Sequence, residues 1–151
     1  MRACRFVTSE PVHIGATIGM RILERADGRA VIGWDAQAEY GFPAASGQII
    51  HGGMVTTILD TAMGAATWSS LTADEVFLTA DLRVEFYRAT RPGPLVAKGL
   101  VIKRTSRLAF CSAELFDADD RLLAGARATQ TILPAQGAMA RPDPTTREFM
   151  P

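Results

Sequence analysis

From Phe77 to Arg88 the stretch FLTADLRVEFYR switches between apolar and polar at nearly every step. Leu78, Ala80, Leu82, Val84 and Phe86 fall on one side, and Thr79, Asp81, Arg83, Glu85 and Tyr87 on the other. A period of two predicts a strand with one buried face. Upstream, Met20 to Trp34 (MRILERADGRAVIGW) holds two β-favouring runs about Asp27-Gly28, a dipeptide suited to the positive φ angles of a tight turn, so this segment reads as a hairpin. Downstream, RPGP (Arg91 to Pro94) turns the chain into PLVAKGLVIKR, SRLAFCSAELFD follows, DADD makes another turn, and RLLAGARATQTIL closes the sheet.

One segment breaks this rhythm. From His51 to about Ser70 the pattern is that of a single long helix, preceded by the Pro- and Gly-punctuated loop Glu39 to Gln48. Met54, Val55, Ile58, Leu59, Ala62, Met63, Ala65 and Ala66 cover most of its circumference. A helix that is apolar on so many sides must be enclosed. Two strands, a helix and at least three more strands joined by short turns predict an α+β architecture, an antiparallel sheet wrapped around one helix. Residues 1–133 form the expected domain. The tail 134–151, PAQGAMARPDPTTREFMP without its hydrophobic period, is expected to be a mobile extension.

Composition changes the picture mainly by exclusion. The chain has 151 residues, enough to bury a core without disulfides or a structural metal. Sixteen basic and sixteen acidic residues leave no global field to gather nucleic acid or an anionic membrane surface. Cys4 and Cys111 have no CxxC or framework spacing, which fits a reducing compartment and no metal or disulfide role. The N-terminal residues lack the apolar core of a signal peptide, and the longest apolar stretch, Ile49 to Trp68, is interrupted by His51, Asp60, threonines and glycines. A cytoplasmic location is expected, with no cofactor.

Within the helix, Gly53, Thr56, Thr57, Asp60, Gly64 and Thr67 fall on one stripe of small or polar residues. Taken alone, Asp60 reads as an internal polar anchor satisfied by a threonine hydroxyl or a sheet amide. Gly52-Gly53 alone reads as close packing or an entry turn. Together they read differently, because bare glycine amides at a helix start suit a carbonyl oxygen gaining negative charge, and a buried carboxylate suits a base or nucleophile. Those are the two parts that acyl transfer to water requires.

The stretch HGGMVTTILDTAMGAA, His51 to Ala66, resembles the signature of hotdog-fold acyl-CoA thioesterases of the phenylacetate-degradation (PaaI-like) type, and the order of elements is similar over roughly residues 20 to 133. The resemblance implies hydrolysis of an acyl-CoA thioester to the free acid and CoA. It implies that the Gly52 amide polarises the thioester carbonyl, that Asp60 is base or nucleophile, and that Thr79 assists from the following strand. His51 matches the family histidine, which holds the loop and helix start; read without the family it is equally a satisfied core histidine. One departure stands out: the family usually has Asn or Gln about seven residues before the first glycine, and Ala45 occupies that position here. Ala44 and Ser46 do not replace the amide, and Gln48 could reach in only with a shifted loop.

Binding of CoA asks for cations, and Lys103, Arg104 and Arg107 cluster in KRTSR, with Arg88 and Arg91 near the previous turn. The plainer reading is a solvated hairpin end. Cys111 reads as core, having no basic neighbour in sequence to lower its pKa. Trp34, Trp68 and Phe77 could line an acyl pocket but fit a core equally well. Two other functions compete with hydrolysis: a hotdog hydratase or dehydratase, for which only His13 and His51 are available, and a non-catalytic acyl-CoA-binding module, which would suit Ala45 but not a retained Asp60.

Gly52 and Asp60 are eight positions apart, roughly 12 Å along a helix at ~1.5 Å per residue. A carbonyl cannot touch both. Two copies with antiparallel helices about a two-fold axis would set the Gly52 end of one beside Asp60 of the other, giving two equal sites. A homodimer is expected, pairing again into a homotetramer, and the resemblance implies sheets joined edge to edge across it.

Overall fold

The structure, a computed structural model, describes residues 14–136. Cys4, His13 and nearly all of the expected tail lie outside the described residues. The chain begins with a short helix α1 (Ile14–Ile18) and the strands β1 (Met20–Ala26) and β2 (Arg29–Ala36). These two pair antiparallel through a turn at Asp27 and Gly28, whose φ angles of 49° and 74° are the positive values that the Asp-Gly pair tolerates. The predicted hairpin is present.

The segment expected to be a loop is partly ordered. A 3₁₀ turn at Ala38–Tyr40 leads into β3 (Gly41–Ala44) and β4 (Gly47–Ile50), a small hairpin that reverses at Ala45 and Ser46. Gly47, at φ 106°, supplies the backbone conformation that brings the chain out of that reversal. The Pro and Gly residues punctuate a tight two-stranded ribbon rather than an irregular loop.

Helix α2 (Gly52–Trp68) follows, and then β5 (Glu75–Phe86), β6 (Gly93–Arg104), β7 (Leu108–Asp117) and β8 (Leu122–Pro134). The six long strands form one antiparallel sheet in the order β1-β2-β6-β7-β8-β5. Val55, Ile58, Leu59, Ala62 and Met63 of α2 are buried against Ile32, Trp34, Ala97, Cys111, Ala113 and Leu115 of the sheet. The sheet rolls around the helix closely enough that one strand needs no side chain at the crossing: a Cβ on Gly99 would collide with the Ala62 carbonyl. This is the hotdog arrangement, a long helix held in an antiparallel sheet.

The alternation in β5 is only half realised. Leu82 and Val84 pack on the core, whereas Leu78 and Phe86 are 53% and 55% exposed and Ala80 is exposed as well. Two causes account for this. A bulge between Thr79 and Asp81 puts Ala80 out of register with β8 and breaks the period of two. β5 is also an edge strand, so its ends project beyond the helix that would cover them.

Candidate active site

Helix α2 begins where His51 ends the approach. The His51 amide donates to the Tyr40 carbonyl at 2.9 Å, and its side chain caps the helix, Nδ1 accepting from the Gly53 amide at 2.9 Å. Since Nδ1 accepts, a proton on the neutral ring must sit on Nε2. His51 therefore fixes the helix start, and it occupies the Gly53 amide. The Gly52 amide, at the first helical position, has no acceptor within the helix. It lies beside the Phe86 ring, which a Cβ at residue 52 would meet at 3.3 Å.

Further along, the threonines turn back on their own helix. Thr56, Thr57 and Thr61 donate through Oγ1 to the carbonyls of Gly52, Gly53 and Thr57 at 2.7–2.9 Å. None is spent on Asp60, so the helix does not supply the internal anchor that a mid-helix aspartate would need. The donor comes from the edge strand instead: Thr79 Oγ1 donates to Asp60 Oδ1 at 3.1 Å. Burial raises the Asp60 pKa above the ordinary carboxylate value, and the Thr79 hydrogen bond opposes that shift. Asp60 is half-buried, close enough to the surface to be reached.

Of the residues singled out in the sequence, the structure brings Asp60 to Thr79 and His51 to Gly53. It does not bring Gly52 to Asp60 in one chain: the cleft at Gly52 is lined by β3, β4, the helix start and the end of β5, without Asp60. Gln48 donates to the Ala38 carbonyl at 3.0 Å, and Ala45 sits at the tip of the β3-β4 hairpin. Lys103 and Arg107 are exposed at the β6-β7 turn, and Arg104 is held by Glu75 at 2.5 Å. That turn neighbours the C-terminal end of α2, roughly 25 Å along the helix from Gly52. Arg88 instead lines the Gly52 cleft, and Arg91 donates to the Ser46 carbonyl at 2.7 Å.

The aromatic residues weighed for a pocket lie elsewhere. Trp34 is buried, with Nε1 donating to the Ile18 carbonyl at 2.8 Å, and Trp68 and Phe77 meet edge to face beyond Gly64. Cys111 is core as expected: its Sγ lies 3.2 Å from Thr67 Oγ1 and burial raises its pKa. The residues around Gly52 that sequence reasoning missed are Phe42, Ile49 and Phe86. Their signal is faint, since Phe42 lies in the segment that reads as a loop, Ile49 falls between that loop and the helix, and Phe86 falls on the face expected to be buried. Among the described residues no cluster of three or more metal-ligating side chains occurs, and no helix is long and apolar enough to cross a membrane.

Comparison with known proteins agrees with this architecture. A Saccharolobus solfataricus protein bearing an esterase name is 26% identical over 118 residues, 77% of this chain and 80% of that protein. Among solved structures, a thioesterase family protein from Silicibacter pomeroyi superposes with a TM-score of 0.72 at 26% identity, covering 80% of this chain and 88% of that one. The E. coli PaaI protein from the phenylacetic acid degradation operon gives 0.71 at 20% identity over 79% and 83% of the two chains, a likeness of fold alone. Residues 47–124, more than half of the sequence and the whole stretch from β4 through α2 to the start of β8, match the Thioesterase superfamily, and the chain belongs to that superfamily.

Proposed function

We propose that the protein hydrolyses an acyl-CoA thioester to the free acid and CoA, as a PaaI-like thioesterase built from residues 1–133. Membership of the Thioesterase superfamily supports thioester hydrolysis in general. The observation that carries the finer reading is the half-buried Asp60 carboxylate, hydrogen-bonded by Thr79 and by no residue of its own helix. A thioester is already activated, so a carboxylate held in this way can attack the carbonyl to form a mixed anhydride or take a proton from an attacking water. In either course the carbonyl oxygen gains charge that a free amide must meet, and Gly52 offers one.

The two groups work together across a homodimer, with Gly52 of one protomer facing Asp60 and Thr79 of its partner. Support comes from β5, an edge strand bearing Thr79 and the exposed Leu78, which offers unpaired backbone and apolar surface to a second copy. Two such dimers pair into a tetramer. Gly53 and His51 shape the helix start, and Gln48, Lys103, Arg104 and Arg107 remain the proposed contacts to substrate.

A specific observation favours a second reading, a non-catalytic acyl-CoA-binding module: Ala45 at the hairpin tip places no side-chain amide near the thioester. One experiment separates the two. The purified protein is incubated with short, long and aromatic acyl-CoAs while free thiol is followed. Turnover that falls on the order of 10²-fold or more in Asp60→Asn, with the circular dichroism unchanged, is the expected result. Binding of acyl-CoA without thiol release would establish the binding module instead.

A further inference from the structure

The cleft beside Gly52 has a volume of about 320 Å³. Phe42, Ile49, Ile50, Val55 and Phe86 line it, and Phe42 and Phe86 remain 47% and 55% exposed there. Large aromatics left in water on two separate elements, converging on one glycine, are not required by the core. Val55 and Ile50 already close the floor, each no more than 2% exposed. The chemistry of the lining is one-sided. Arg88 is its one charged side chain among the described residues, the Tyr87 hydroxyl is turned to Glu85 at 3.2 Å, and the Thr90 carbonyl is taken by the Ile50 amide at 2.8 Å.

The size is at the small end of ligand pockets, which run from roughly 300 to 1,000 Å³. The position matters most. Gly52 has no side chain to stand between its amide and the cleft, and the Phe86 ring is the cleft wall next to it. A carbonyl polarised by that amide has its substituents within reach of the lining.

We infer that this cleft receives the acyl group of the substrate, and that the group is apolar where it meets the lining and of short to medium length. This rests on the proposed thioesterase reading and deepens it. Long fatty acyl chains exceed the volume. Phe86 and Ile49 set the length, because they are the partly exposed walls that can be enlarged or filled without removing the buried floor.

The test measures kcat/KM for acetyl-, butanoyl-, hexanoyl-, octanoyl-, dodecanoyl- and palmitoyl-CoA on the full chain. Each added methylene that finds a place in the cleft is expected to raise kcat/KM about fourfold, until the rise stops at medium length. Phe86→Ala should move the optimum to longer chains and Ile49→Trp to shorter ones, opposite shifts that a general loss of structure would not produce. If no acyl-CoA is hydrolysed, the catalytic reading fails while the cleft is still tested, because the same length dependence should appear in the binding constants of the acyl-CoA series. A flat profile or no shift in either variant would overturn the assignment. So would dissociation of the dimer in Phe86→Ala with an unaltered profile, which would make the cleft part of a protein interface.

Discussion

Two carboxylates flank the second half of α2, and the chain treats them in opposite ways. Glu75, just past the C-terminal end, accepts from the Thr72 amide at 2.9 Å and from Arg104, and these bonds hold its pKa below the ordinary value, the amide contributing most. Around it the helix end is fully provided for: the hydroxyls of Ser69 and Ser70 donate to the carbonyls of Ala66 and Thr67 at 2.7 Å, and the Gly28 amide donates to Ser69. Asp60, in the middle of the helix, has one neutral donor and a pKa raised by burial. One carboxylate, in its charged form, ties the loop after the helix to Arg104. The other is held in a place where its charge costs stability, which is what a site poised for chemistry looks like.

The largest effect that would break this contrast concerns shared sites. Asp60→Asn and Gly52→Val homodimers should each be nearly inactive. Refolded together, their heterodimers should recover activity, because each carries one intact site and one doubly damaged site. Verified heterodimers without activity would place both groups within one chain and refute the pairing of Gly52 with a partner's Asp60.

A smaller effect lies in the pH dependence. Hydrolysis needs ionised Asp60, so the acid limb of kcat/KM should fall at a pH above the ordinary aspartate range. Thr79→Val removes the hydrogen bond that lowers this pKa and should move the limb to still higher pH. A limb unmoved by that substitution would detach Thr79 from the reacting carboxylate.

The same two groups should leave opposite marks on stability. A raised folded-state pKa means that the native state binds the proton more tightly, so stability is lost as pH rises through the window above the ordinary aspartate value of 3.8. Asp60→Asn should therefore unfold at an equal or higher temperature than the parent at pH 7, with the difference fading on acidification. Glu75 runs the other way, since its depressed pKa contributes stability above about pH 4.5 that disappears as pH falls through the lowered value. Glu75→Gln should cost about 1 kcal/mol or less at pH 7 and nothing once the parent carboxyl is protonated. Calorimetry of both variants across pH 3 to 8 checks the signs.

Much of the fold was legible because it depends on local rules. Asp27-Gly28 demanded a tight turn, and the all-round apolar character of Met54 to Ala66 demanded a wrapping sheet. What escaped was set by neighbours that are distant in sequence. The bulge in β5 arises where Thr79 and Asp81 meet Gln130 and Thr129 of β8, and no pattern in FLTADLRVEFYR announces it. The β3-β4 ribbon looked like a loop because four residues per strand are too few to show a period. For the site, the Asp60-Thr79 pair could be anticipated from a family resemblance, whereas the Phe42-Ile49-Phe86 walls come together only when two elements on either side of α2 fold onto its first turn.

The sheet order also bears on when the protein becomes able to act. β5 has β8 as its single neighbour in the sheet, and their ladder runs from Glu75 with Pro134 to Phe86 with Ala124. On a ribosome, α2 and its aspartate emerge long before that partner strand exists, and closing residue 79 onto residue 130 is a non-local step of the kind that slows folding. The threonine that steadies Asp60 is thus among the last groups to be fixed, and a nascent chain carries its acid without the strand that positions it.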